Sequence, residues 1–521
     1  MFFSFIVVAA LSAGEIPPHF GAPLDWQRPD NRAFTAVPSI DVAADGRMWA
    51  TWFCGKTPGE DKNSYSVLAT SGDGGETWKE VATVDPDGEG EMRAWDPQVW
   101  CAPDGTLHWN WSECRLDPDW RKAHASIQLY VAVLPDATCG SPVLPPKPDA
   151  FCRRGVALGK PFVFGNGDWG RPVAHWNITP SSGLWVSSDR GKSWTYRGGA
   201  RVPDGYACCD EHSIIELSDG RLWCLTRTMS GYGESFSSDG GRTWSTMTRC
   251  WFAQPNSRLS ARKLKSGNIV IAKHGPMTPQ WGAFPDREHL WVAISEDDGK
   301  TWKGEFEIEP RACSYPDIAQ GPDGTIHVVY DHGRASDQEI LFASFREEDL
   351  LKGDVRSPTV KLARLITKST APSDAAKTVR SQARGLQPFL DGAVIEIEAE
   401  GFEADRFRPG AKLFADRDYV VDECPQALAG KRFLRGKLAG YGSAKITAKT
   451  SGGLYVLTPE PADNPAHSNA DELRAQGFEA LNLAPVRLFK PTAPANTATV
   501  YGKRLSAGES VAIRPWAVVV F

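Results

Sequence analysis

The chain has 521 residues, 41% hydrophobic and 23% charged, ordinary values for a globular protein with ample length for a large core. Its 58 Lys and Arg against 64 Asp and Glu leave a net charge of −6, so the charge balance points to neither a nucleic-acid partner nor an anionic membrane surface. The 20 Trp, 49 Gly and 38 Pro, with few long helical stretches, predict strands joined by tight turns and exclude collagen, coiled coil and multi-pass membrane protein.

Residues 1–13, MFFSFIVVAALSA, form an apolar run that ends in small residues before Gly14-Glu15. Apart from the α-amino group this run lacks the positive start of a secretory signal. Its length and small-residue end nevertheless predict a signal peptide over 1–13, cleaved near Ser12 or Ala13, and a secreted or periplasmic protein. No later apolar run approaches the ~18 residues that cross a bilayer, so no membrane span is expected. The 11 Cys include no CxxC pair and no Cys/His spacing suited to zinc, and no metal or other cofactor is expected. Cys139 and Cys152 flank a Pro-rich excursion that a disulfide would staple in an oxidising compartment. The alternative is that most Cys, Cys208-Cys209 included, are small buried hydrophobes.

One octapeptide pattern, Ser-x-Asp-x-Gly-x-Thr/Ser-Trp, occurs four times: Ser71–Trp78, Ser187–Trp194, Ser237–Trp244 and Ser295–Trp302. Each copy predicts a hairpin turn. The Asp carboxylate can accept the turn's own N–H groups, Gly supplies positive φ, the hydroxyls tie the ends, and Trp packs back between strands. The wide interval between the first two copies has room for a sheet that lacks the signature. The stretch Pro97–Trp100, the Asp104-Gly105 turn and Thr106–Trp111 fit it.

This signature is the Asp-box (BNR) repeat, and residues 30–350 resemble the sialidase superfamily of six-bladed β-propellers. The resemblance implies an all-β chain with a six-bladed β-propeller over residues 25–352. Arg346–Lys352 reads as a short closing helix, and a linker is expected over 353–390. Alternating runs such as Val394–Glu398, Gly453–Leu457 and Ala512–Phe521 predict a smaller C-terminal β-sandwich-like accessory domain over 391–521. The Asp residues of the boxes are rim turn-makers, and no catalytic role attaches to them.

The resemblance also implies a chemistry. The sugar's anomeric carbon carries a carboxylate, which repels an anionic nucleophile. A neutral Tyr avoids that repulsion, but its pKa near 10 requires an adjacent Glu as base. A second acid protonates the leaving oxygen, and arginines hold the carboxylate. Carried over residue by residue, the Tyr falls on Tyr315 in Cys313–Asp317. Its partner Glu falls on Glu211, and the carboxylate clamp on Arg227 and Arg287. The acid falls on Glu60 or Asp61, with Asp61 favoured because Asp is the usual residue type in the family. Where the family opens on an aromatic-Arg-Ile-Pro motif, this chain has Phe34–Pro38 with Ala36 at the Arg position. Arg32 or Arg93 could supply a third guanidinium from another backbone position.

The leading expectation is therefore an exported exo-glycosidase of sialidase type that hydrolyses a terminal α-linked acidic sugar with retention, its partner a glycan or oligosaccharide. Two alternatives stay open. One is a propeller lyase or glycosidase acting on uronate-containing polysaccharide, for which His108, His175, His212 and His274 are available. The other is a non-catalytic glycan-binding propeller that uses Trp platforms within Trp95–Trp111 and Trp169–Trp176.

Overall fold

The four octapeptides each close a turn between adjacent antiparallel strands, with the same hydrogen bonds. In the first, Ser71 Oγ donates to Asp73 Oδ1 at 2.7 Å and accepts from Gly75 N at 2.9 Å. Asp73 also accepts from Thr77 N at 3.0 Å and from Thr77 Oγ1 at 2.5 Å. Asp189, Asp239 and Asp297 repeat these contacts. The bonds to Thr or Ser hold Asp73, Asp189, Asp239 and Asp297 below the usual carboxylate range.

The boxes also dock sheets on one another. Gly75, Gly241 and Gly299 have φ between 79° and 92°. A Cβ there would lie 2.6 Å from Phe342, 2.5 Å from Leu184 and 2.6 Å from Trp223, respectively, each on a different sheet from its glycine. Only a glycine gives both the backbone conformation and the close approach.

The computed structural model describes residues 18–371 and 397–521, except 58, 89, 118–119, 177, 205, 230, 278–286, 335, 399–401, 416, 424–427, 429, 437–443, 451, 460–467, 482–485, 491–492 and 515–516. The expected signal peptide and residues 372–390 of the expected linker lie outside the described residues. The chain is all-β and divides into two compact units, 1–376 and 377–521.

Among the described residues the first unit holds six antiparallel sheets in chain order. Apart from a short leading strand of the first sheet, His19–Gly21, which pairs with Lys79–Asp85, their first strands are Phe34–Val42, Met92–Cys101, Gly155–Val156, His212–Glu216, Ser260–Lys263 and Cys313–Gln320. Phe34–Val42 packs against both Met92–Cys101 and Cys313–Gln320, so the first sheet meets the second and the last. The second sheet, which like the sixth carries no Asp box, runs from Met92 to Arg153. The sixth sheet ends in Lys361–Lys368, which pairs with Glu339–Phe345. The unit therefore extends beyond residue 352: the helix Glu347–Lys352 connects the last two strands rather than closing the unit.

Between the first strands lies a buried ionic knot. Asp317, 0% exposed, meets Lys160 Nζ at 2.7 Å and Arg258 Nη2 at 3.2 Å. It also accepts from Ser39 Oγ and Ile40 N. Lys160 donates on to the carbonyls of Ile40 and Val99. The first, second and sixth sheets are thus tied at one point.

In the second unit one path of strands runs Glu403–Arg406, Arg432–Arg435, Val518–Val520, Gly452–Thr458, Ala493–Leu505, Val486–Lys490, Arg417–Glu423 and Lys412–Phe414. Alternate residues of Gly452–Thr458 face opposite ways. Tyr455 and Leu457 join one apolar cluster with Phe433 and Val500, while Leu454 and Val456 join another with Leu473 and Ile446. Ile446 lies in a separate three-stranded sheet and Leu473 in the helix Ala470–Ala475, and both elements cover that second face.

Candidate active site

Three of the first strands break in the same way. Val37, Asp96 and Tyr315 have φ of 53°, 48° and 52°. Each precedes a proline, and each lies where the ladder to the second strand skips: between Ala36 and Ser39, Trp95 and Gln98, and Ser314 and Asp317. Proline has no N–H to give the ladder, and the bulge turns the preceding side chain out of the pleat. Non-glycine residues at positive φ store strain that the surrounding structure must hold, a pattern common at functional sites. Asp210, just before His212–Glu216, shares it with φ 51°.

Tyr315 leads into a tight contact. Its Oη donates to Glu211 Oε1 at 3.0 Å. Arg227 Nη1 donates to both Glu211 Oε2, at 3.0 Å, and Tyr315 Oη, at 3.1 Å. Arg227 Nε is held by Asn256 Oδ1 at 2.6 Å. All three residues are buried. Glu211 stands at the start of the fourth sheet's first strand, and Arg227 near the end of its antiparallel neighbour, Leu222–Thr228, where Arg227 N bonds Glu211 O. Burial, then the Glu211 charge, push the Tyr315 phenol well above its usual pKa against the pull of Arg227 and Arg287. The phenol is neutral, donates to a base and accepts from a cation.

Two more guanidiniums flank the ring. Arg287 Cζ lies 5.6 Å from its centroid and Arg334 Cζ 4.7 Å, distances at which a cation is attracted to the π face. Arg287 donates to the Asn256 carbonyl at 3.2 Å, and among the described residues no carboxylate pairs with it. Burial lowers its pKa, with the Tyr315 contact opposing. Arg334 is gripped by Asp331, with Nη2 to Oδ2 at 2.7 Å and Nε to Oδ1 at 3.2 Å.

The remaining expected residues separate into three places. Glu60 pairs with Arg93 at 3.0 Å and lies 3.9 Å from Arg334, so it borders the same space. Arg93 also lies 4.3 Å from the Trp95 ring centroid. Asp61 accepts from Thr57 Oγ1 and from Asn63 N, which makes it a cap of its own turn. Arg32 is not with the others. It pairs through both Nη atoms with Glu80 and donates to the Gln27 carbonyl and Tyr65, fully buried within the first sheet's own packing. The four histidines lie apart from the Tyr315 contact. His108 accepts from Arg171, His175 accepts from Trp185, and His212 and His274 bond backbone carbonyls.

Three contributors escaped the sequence reading. Arg334 and its holder Asp331 carry no local signature, since their partners are Val37 and Tyr315 in other segments. Asp96 did carry one: Asp96-Pro97 repeats the Val37-Pro38 and Tyr315-Pro316 pattern. Its carboxyl is pushed well up by burial and by Glu211 and Glu60, against Arg93 and Arg334. Ala36 is buried in an apolar cluster with Phe34, Val37, Phe53, Trp95 and Tyr315. Among the described residues no group of His, Cys, Asp or Glu is arranged to hold a metal.

Residues 143–328 match the BNR repeat-like domain family. A sialidase from Micromonospora viridifaciens is 28% identical over 187 residues, 34% of this chain, and the match spans 28% of that protein's length. Among solved structures, the Hadza microbial sialidase Hz136 is 17% identical with a TM-score of 0.48, covering 62% of this chain and 67% of that one. An intramolecular trans-sialidase from Ruminococcus gnavus is 15% identical with a TM-score of 0.46, covering 63% and 98%.

Proposed function

We propose that this chain, a member of the sialidase and BNR-repeat superfamily, is an exported exo-glycosidase that removes a terminal α-linked sialic acid, or a similar acidic sugar, from glycans with retention. Its six sheets are the blades of a β-propeller, and the observation that carries the reading is the three-way contact of Tyr315, Glu211 and Arg227.

In the first step the substrate carboxylate binds Arg287, which has no anionic partner among the described residues, and Arg227. Tyr315 Oη forms a bond to the anomeric carbon while its proton passes to Glu211, and the bond to the leaving oxygen breaks. A carboxyl group at the rim gives that oxygen a proton. Glu60 suits this role better than Asp61. It lies beside Arg93 and Arg334 with its side chain 41% exposed, where a departing glycan must leave, whereas Asp61 is engaged in its own turn. In the second step the rim carboxylate takes a proton from water, the water oxygen bonds the anomeric carbon as the bond from that carbon to Tyr315 Oη breaks, and the released phenolate regains its proton from Glu211. Two displacements at one carbon retain its configuration. Burial and the Glu211 and Glu60 charges raise the Asp96 pKa and so favour its protonated form.

A fluorogenic α-sialoside tests the reading. The wild type releases fluorophore, and Tyr315→Phe, which removes one oxygen, loses on the order of 10³-fold or more in kcat while staying folded. Release unchanged in Tyr315→Phe overturns it. The apolar surroundings of Ala36 favour one second reading, a uronate-containing glycan as substrate. Rising ultraviolet absorbance from an unsaturated product, with no release from the sialoside, would select a lyase.

A further inference from the structure

Arg334 has more donors than its partner uses. A guanidinium carries five N–H groups, and Asp331 takes one from Nε and one from Nη2. Nη1 lies 3.9 Å from Glu60 Oε1, beyond hydrogen-bond reach, and the side chain is 22% exposed. Among the described residues its other N–H groups have no acceptor. The mounting, by contrast, is rigid. Asp331, 1% exposed, accepts from Val37 N at 2.9 Å through Oδ2 and from Ser314 Oγ at 2.7 Å through Oδ1. Those two donors belong to two of the bulges described above, so one carboxylate locks both and aims Arg334 across the Tyr315 ring. An ion pair that served stability alone would gain little from leaving the open half of the fork beside the phenol.

From this geometry we propose that Arg334, held by Asp331, is a third substrate-binding guanidinium and determines specificity for a carboxylated sugar. The inference rests on the proposed function for the identity of that sugar. Asp331 is a positioning residue, since it acts only through Arg334 and the two bulges. The arrangement compensates for Ala36: the anion is approached from the turn after Ile326–His332 instead of from Phe34–Val42.

The test is a binding measurement in the Tyr315→Phe background, where nothing turns over. Affinities for free N-acetylneuraminic acid and for its uncharged methyl ester are compared by calorimetry. The parent prefers the acid, and Arg334→Met cuts that preference by about 10- to 100-fold, the range of a charge-assisted hydrogen bond. Arg334→Lys, which keeps the charge without the fork, recovers part of it. Because Arg334→Met strands a buried carboxylate, the double variant Arg334→Met/Asp331→Asn is measured beside it. There the preference stays lost although no charge is left unpaired. An undiminished preference in Arg334→Met, its return in the double variant, or a parent that binds acid and ester alike each overturns the inference. A wild type that prefers the acid through Arg334 but releases no fluorophore from the α-sialoside overturns the proposed hydrolysis alone.

Discussion

Lys160 Nζ lies 2.7 Å from Asp317 Oδ2, two residues beyond the candidate nucleophile, with both side chains buried. Burial alone would raise the Asp317 pKa, but Lys160 and Arg258 outweigh it and hold the carboxyl below the usual range. Asp317→Ala would leave two buried cations without their carboxylate, their remaining contacts being to backbone carbonyls and a Ser hydroxyl. Breaking such a network costs about 3–5 kcal/mol, so urea unfolding should show a loss of that size. The sign with pH follows from the depressed folded pKa: Asp317 contributes its stability above the unfolded value of about 3.9 and loses it as pH falls through the lower folded value. A loss under about 1 kcal/mol in Asp317→Ala would mean the knot is not the tie it looks to be.

The Asp-box glycines make a second, local prediction. In Gly75→Ala the new Cβ meets Phe342 Cζ at 2.6 Å on a backbone with φ of 83°. Conformational strain and overpacking together cost about 1–3 kcal/mol. Gly105, at φ 90° with nothing near its Cβ direction, isolates the conformational part, so Gly105→Ala should cost clearly less. Equal losses in the two would show that docking on the sixth sheet contributes nothing.

Histidine burial sets a third expectation. Arg171 Nη2 donates to His108 Nδ1 at 3.0 Å. A guanidinium cannot accept, so this nitrogen must carry a lone pair and the ring is neutral. Burial, with the Arg171 charge, brings the His108 pKa down to about 3. Between that value and the unfolded value of about 6.5 the unfolded chain holds one proton more at this site, so stability rises with pH across the window and is lost as pH falls below 6.5. The contribution is about 1.36 kcal/mol per pH unit. Asp85, raised to about 6 chiefly by burial, acts in the opposite sense, so the whole-protein slope mixes several groups. The clean measurement is a difference: His108→Asn, which keeps an acceptor for Arg171, should flatten the slope of unfolding free energy between pH 6 and 4 by about one proton. An unchanged slope would place the His108 proton elsewhere.

How far the sequence carried the site can be read from its parts. The octapeptides announced their turns, because the motif's hydrogen bonds are local, but not that three of their glycines seat side chains of other sheets. Tyr315, Glu211, Arg227 and Arg287 were legible through a family pattern, and the structure brings them within contact of one phenol. Arg334 was not legible. Its place depends on Asp331 meeting Val37 N from almost 300 positions away, and no spacing along the chain encodes that. Arg32 misled for the converse reason: an arginine near the expected motif is answered by Glu80, a partner visible only once strands pair. The strand Lys361–Lys368 was hidden because its alternation begins after a helix that looked like an ending.

Glu60 and Asp61 are neighbours in the chain with separable fates. If Glu60 donates the proton to the leaving oxygen, its removal matters only when that oxygen needs a proton. Glu60→Gln should lose about 10²–10⁴-fold in kcat/KM on a natural sialylated glycan, the usual range for a general acid. On a 4-nitrophenyl glycoside, whose leaving group departs as a stable anion, the loss should shrink to about 10-fold or less. Asp61→Asn should affect both substrates alike, through the turn it caps with Thr57 and Asn63. The reverse pattern would move the acid to Asp61. Near-normal turnover of both substrates by both variants would exclude both residues as the acid and point to Asp96, a buried carboxyl group whose pKa is raised by burial and by Glu211 and Glu60.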